Sequence, residues 1–235
     1  MASCNPAVRL PVQTPTVTQW TPPAHRRATP HGPDGLLADA ARTPHGGPEG
    51  NARLTGTTAA VLLVLLAAEG FTVLRGGALL TPHVVIGMVL VPFVAVKIGS
   101  TGWRMAKYYL GDPAYRARGA PPIVLRLLGP LVVLLTALLF ASGIAVLLVP
   151  HSLRQETMFV HKASFVLWFG AMVIHVVGHV VETTRLAPAD LVARTRTQVR
   201  GAGARLWVQS GCLVVGVLLA VVMVPTIGPW LASGG

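Results

Sequence analysis

The stretch MFVHKASFVLWFGAMVIHVVGHVVE, residues 158–182, runs for 25 residues with Lys162 and Glu182 as its only acidic or basic side chains besides histidine, one near each end. A helix of about 20 apolar residues, rising 1.5 Å per residue, crosses the ~30 Å hydrocarbon layer of a bilayer, so this stretch is long enough to span it. It carries His161, His175 and His179 to membrane depth, where an ionisable side chain is costly and marks a functional position. Four further stretches have the same character, at 54–74, 82–104, 124–149 and 206–229. Over its 235 residues the chain is 52% hydrophobic and only 11% charged. A soluble domain carries about a quarter charged residues, so the expected class is all-α integral membrane, with five transmembrane helices. Trp103, Trp207 and Trp230 stand at span ends, as an interfacial belt requires.

Residues 1–52 differ from the rest. They hold nine prolines and three of the eight histidines without an apolar run, a composition that reads as a disordered, Pro-rich tail. No secretory signal is expected there, because Arg26 and Arg27 lie far upstream of the first apolar stretch. Cys4 and Cys212 supply neither a disulfide framework nor a CxxC metal site, and Cys212, within span five, reads as a buried apolar residue.

The net charge of +11 resolves into topology. Arg9, Arg26, Arg27, Arg42 and Arg53 precede span one. Arg104, Lys107, Arg116, Arg118 and Arg126 separate spans two and three, and Arg185, Arg194, Arg196, Arg200 and Arg205 separate four and five. Only Arg75, Arg154 and Lys162 fall on the other side, so the positive-inside rule predicts a multi-pass protein of the cell membrane with its N-terminus in the cytoplasm and its C-terminus outside. The arginine-rich loops suit anionic lipid; no basic-aromatic module accompanies them, and no nucleic-acid partner is expected.

Spans two and four then run in parallel from outside to inside. His83 opens span two and His161 opens span four, at one outer depth, where two histidines can approach one metal from opposite sides. His161 and His175 are 14 residues apart, which is about 21 Å along a helix and within about 40° of one face. His83 and Lys97 repeat that interval in span two, Gly56 and Gly70 in span one, and Gly129 and Gly143 in span three. By depth, Gly70 and Gly143 share the level of His83 and His161, while Gly56 and Gly129 share that of Lys97 and His175. Two flat cofactors about 20 Å apart, beside helices that lack side chains at those levels, account for all four pairs. Glycine also serves close helix packing in membranes, and the chain holds 25 of them.

This pattern resembles the four-helix cytochrome b domain of the quinol-oxidising respiratory complexes and the di-haem transmembrane cytochromes that anchor periplasmic oxidoreductases. The resemblance covers about residues 54–183. It implies that the first four helices form a haem-binding bundle, that His83 and His161 ligate an outer b haem, and that His175 is one ligand of an inner one. Glycines 56, 70, 129 and 143 would make room for the porphyrins. Lys97 stands where the pattern has histidine. It either snorkels to the headgroups or pairs with a propionate, or, as the neutral amine, it ligates the inner iron. His179 lies one turn past His175 on the same helix face, so both cannot bind one iron from opposite sides; with Glu182 it could meet a quinone head group or form a polar helix end. Glu69 reads as a solvated helix end, and His151 as solvated. Arg75, Arg154 and Lys162 outside, and Arg104 and Arg126 inside, suit propionates or interfacial anchoring.

The expected organisation is a tail at 1–52, a four-helix haem-binding membrane domain at 53–184, a basic cytoplasmic loop at 185–205, and a fifth transmembrane helix with a short outer tail at 206–235. The resemblance implies a b-type cytochrome that carries electrons between a quinone pool and a partner, such as an extracytoplasmic oxidoreductase subunit, and that is not catalytic alone. The rival expectation is a haem-free transporter or scaffold whose histidines line a polar cavity.

Overall fold

A computed structural model describes residues 40–119 and 123–228. Among these residues there is no strand, and five helices are long and apolar enough to cross a membrane. We label them α1 (Gly47–Leu74), α2 (Leu80–Tyr109), α3 (Ile123–Leu148), α4 (Arg154–Leu186) and α5 (Ala202–Met223). Each contains one of the five expected spans, apart from the last residues of spans three and five. The helices are connected by short turns, such as the 3-10 turn Gly76–Leu79 between α1 and α2.

Helix α1 packs against α2 and α4, α4 packs against α3, and α5 lies along the far side of α2. The first four helices thus form a ring, and α2 and α3 touch only lightly where it closes. One apolar cluster joins Leu62 of α1, Val89, Leu90 and Phe93 of α2, and Cys212 of α5. A second joins Val84 and Met88 to Ala220 and Ile227. Elsewhere the helices present apolar side chains outward, including Phe159, Val166, Val177 and Val181 along α4, which suits contact with lipid.

Helix α5 fits against α2 because it has no side chain at Gly216: a Cβ there would lie 2.7 Å from Val89 Cα and 3.0 Å from Val89 O. Gly216→Val is therefore expected to force the two helices apart, at a cost of about 1–3 kcal/mol for overpacking. Thermal unfolding in detergent measures that loss, and an unchanged midpoint would contradict the contact.

Two boundaries differ from the sequence expectation. Helix α1 begins at Gly47, inside the segment assigned to the tail. Pro48 sits in its first turn, where a missing N–H costs nothing, and Glu49 faces the positive end of the helix and pairs with Arg118. Gly50 is required there, since a Cβ would collide with the carbonyl oxygen of His45. Residues 1–39 lie outside the described residues, as does Trp230.

The second difference concerns residues 185–205, expected as a basic loop. They fold into a 3-10 turn (Ala187–Asp190) and a short helix (Ala193–Arg196) around a buried charge cluster. Asp190 is 1% exposed; Arg205 grips it at 2.5 and 2.7 Å, and Arg53 of α1 approaches at 3.4 Å. Arg53 also donates to Ala189 O and Thr195 O, and Arg205 to Arg200 O. The cluster ties α1, the α4–α5 connection and α5 together at the end of the molecule rich in arginine, called the basic end below.

Candidate functional site

At the end opposite the basic end, the start of α2 and the start of α4 bring His83 and His161 across the ring from each other. Their imidazole centroids are 6.4 Å apart and their planes are inclined at 80°. Both rings are held by Nδ1. For His83 the partners are Thr72 Oγ1 at 2.9 Å and Glu69 Oε1 at 3.0 Å, both from the last turns of α1. The Thr72 hydroxyl donates its one proton to Glu69 O at 2.6 Å, so towards His83 it accepts. The proton between them therefore belongs to His83 Nδ1, and Nε2 keeps its lone pair.

His161 arrives at the same state by a different route. Its Nδ1–H donates to Leu139 O at 3.2 Å, beside Ser142 Oγ, also at 3.2 Å. The Ser142 hydroxyl donates to Leu139 O, and so it too accepts from the ring. Ser164 closes the group by donating to His161 O. Gly143 seats the ring, since a Cβ there would lie 3.0 Å from His161 Cε1 and 3.3 Å from Nδ1. A Cβ on Gly70, at the same level, would meet nothing within 4 Å. Gly143→Ala should displace the His161 ring by a few tenths of an ångström and weaken anything bound at its Nε2. Metal retention equal to that of the unaltered chain would contradict this.

Glu69 departs from its expected role as a solvated helix end. Its side chain is 16% exposed, Oε2 is buried without a hydrogen bond, and Gly87 of α2 leaves room beside Oε1. Glu69, Thr72, Ser142 and Gly87 are contributors that the spacing argument did not single out. Glu69 lay one residue before Gly70, and Thr72 stood one helical turn further on; an acid and a hydroxyl at that spacing were the available signal.

At the basic end the residues that share the second depth divide into two groups. Lys97 Nζ donates to Thr55 O at 3.1 Å, within a set completed by Ser100 and Asn51. Gly56 abuts the end of α4, where a Cβ would lie 2.5 Å from Leu186 Cβ. These two serve the packing of α1 against α2 and α4. Gly129, His175 and His179 instead line a cleft of about 80 Å³ between α2, α3 and α4. The two histidine rings there are 4.8 Å apart, one turn from each other on α4. His179 approaches Glu182 at 3.7 Å, and Arg118 approaches the same carboxylate at 3.7 Å.

Haem fits the first set of residues and not the second. Two imidazoles bound through Nε2 to opposite sides of one metal, at about 2 Å each, have centroids about 6 Å apart. The His83–His161 separation of 6.4 Å matches that span, and the Nδ1 bonds to a carboxylate and a backbone carbonyl are the outer-shell partners that fix a ligating imidazole. At the basic end His175 and His179 share one helix face, Lys97 is engaged by Thr55, and the space beside Gly56 is filled. A cleft of about 80 Å³ is also far too small for a group the size of a porphyrin.

Compared with known proteins, the chain matches no family model, no curated protein and no solved structure.

Proposed function

We propose that this chain is a membrane b-type cytochrome that holds one haem between His83 and His161 and carries electrons between a quinone pool and a partner redox protein. The observation that carries this reading is the pair of imidazoles, each held through Nδ1, with ring centroids 6.4 Å apart. Among the described residues no three His, Cys, Asp or Glu side chains converge to hold a bare ion. Two donors alone suit a metal that brings its own equatorial ligands, as haem does.

Haem supplies reversible one-electron exchange, and the chain supplies everything around it. His83 and His161 would hold the haem between them, and a haem held by two histidines would supply electron transfer and not oxygen activation. Glu69 and Thr72 hold His83 in one tautomer, and accepting from Nδ1 makes the imidazole a more basic ligand, which favours the oxidised metal. On the positive-inside rule the basic end is cytoplasmic, so the histidine pair lies towards the outer face, within reach of an extracytoplasmic oxidoreductase subunit.

Glu69→Ala should remove one of the two acceptors that hold His83 Nδ1. The midpoint potential is expected to rise and haem to be held about 10-fold more weakly or worse. Redox titration of the purified variant checks this, and an unchanged potential would contradict the role given to Glu69. The function itself is tested by pyridine-haemochrome quantitation of the full-length protein. About one b haem per chain is the expected result; none would refute the assignment and favour the haem-free transporter or scaffold.

A further inference from the structure

The cleft at the basic end has its own chemistry. Arg104 and Tyr108 of α2, Arg126 and Gly129 of α3, and His175 and His179 of α4 converge on it, and its lining residues include no carboxylate. Arg104 makes no hydrogen bond or ion pair among the described residues. Arg126 commits only Nε, to Tyr109 Oη at 2.5 Å, with its guanidinium over the Tyr109 ring. His175 Nδ1 is buried without a partner. Glu182, the acid on the same helix, is near enough to interact with Arg104, but it is shared with His179 and Arg118, so one carboxylate serves several cations. Buried polar atoms are normally satisfied, and cations this close together need a counter-charge.

We propose that this cleft seats the phosphate group of an anionic membrane phospholipid. Arg104 and Arg126 stand at the ends of their spans, where headgroups lie, and both line the cleft; a guanidinium presents paired N–H donors of the kind that bind phosphate oxygens. The apolar wall that Leu125 and Met105 contribute suits the start of the acyl chains. Because α2 and α3 touch only lightly, the cleft can be entered sideways from the bilayer. Basic pockets between transmembrane helices hold anionic headgroups by the same physics. The site does not depend on the haem.

The test is native mass spectrometry of the full-length chain with equimolar phosphatidylglycerol and phosphatidylcholine, repeated with millimolar inorganic phosphate. The expected result is retention of phosphatidylglycerol over phosphatidylcholine by on the order of tenfold, with no displacement by phosphate. The double substitution Arg104→Gln and Arg126→Gln should abolish that preference. Gly129→Val should abolish it as well; its Cβ meets nothing within 4 Å, so it occupies the cleft without disturbing helix packing. Equal retention of the two lipids, or a preference that survives in the Gly129→Val chain, would overturn the proposal. Displacement of the lipid by inorganic phosphate would overturn its lipid source.

Discussion

On the proposed assignment, alanine at His161 is expected to strip the purified protein of essentially all its haem. Alanine at His83 should do the same, while alanine at His175 should leave the haem in place. Each of the first two substitutions removes one of the two imidazoles that meet across the ring, and it leaves the partner's Nδ1 bonds intact. A single imidazole on a b-type haem leaves the other axial position open, and nothing else among the described residues is placed to fill it. In the His161 variant Ser142 would lose its ring partner but keep Leu139 O, and Ser164 would keep the backbone carbonyl at position 161, so the local fold should survive. Pyridine-haemochrome assay and the visible spectrum of the three variants measure the effect. Haem retained in both His83→Ala and His161→Ala would refute the ligand assignment, and haem lost from His175→Ala would move the site to the basic end.

The second large effect is on folding. Asp190→Ala is expected to destabilise the protein by about 3–5 kcal/mol, because it leaves two buried guanidiniums without their counter-charge. Arg53 is 4% exposed and Arg205 is 6% exposed, so neither can turn to water without opening the junction of α1, the α4–α5 connection and α5. The Arg53 bonds to Ala189 O and Thr195 O occupy Nη1 alone, leave Nε buried without a partner and do not neutralise the charge. Replacing Arg53, Asp190 and Arg205 together with apolar residues of similar size should cost far less than Asp190→Ala alone, since no charge is then left stranded. Thermal unfolding in detergent compares the variants. A loss from Asp190→Ala below about 1 kcal/mol, the range of an exposed pair, would show that the cluster is solvated.

The five helices were legible in the sequence because span length and apolarity are local properties. Depth was legible as well: a helix rises a fixed distance per residue, so His83 and His161, counted from their span ends, were expected at one level and do meet. Rotation about the helix axis was not legible. Lys97 shares a depth with His175 but faces α1, where Thr55 O takes its ammonium, and Gly56 shares that depth but is covered by Leu186. Which neighbour a helix face meets depends on how the ring closes, and spacing within one helix carries no information about that. The clamp on His83 was missed for the same reason, since the Gly76–Leu79 turn lays the end of α1 against the start of α2. The charge cluster was hidden by composition. Residues 185–205 read as a solvated basic loop, yet Asp190 is the last acid in the chain, and a lone carboxylate among so many arginines was the signal of a buried pair.

The dithionite-reduced minus air-oxidised visible spectrum of the purified full-length protein is the most direct measurement. The arrangement at His83 and His161 predicts a Soret band and a sharp α band of a six-coordinate b haem, unchanged by carbon monoxide because both axial positions are filled. A spectrum without these bands, from protein made in cells supplied with haem, would contradict the cytochrome assignment.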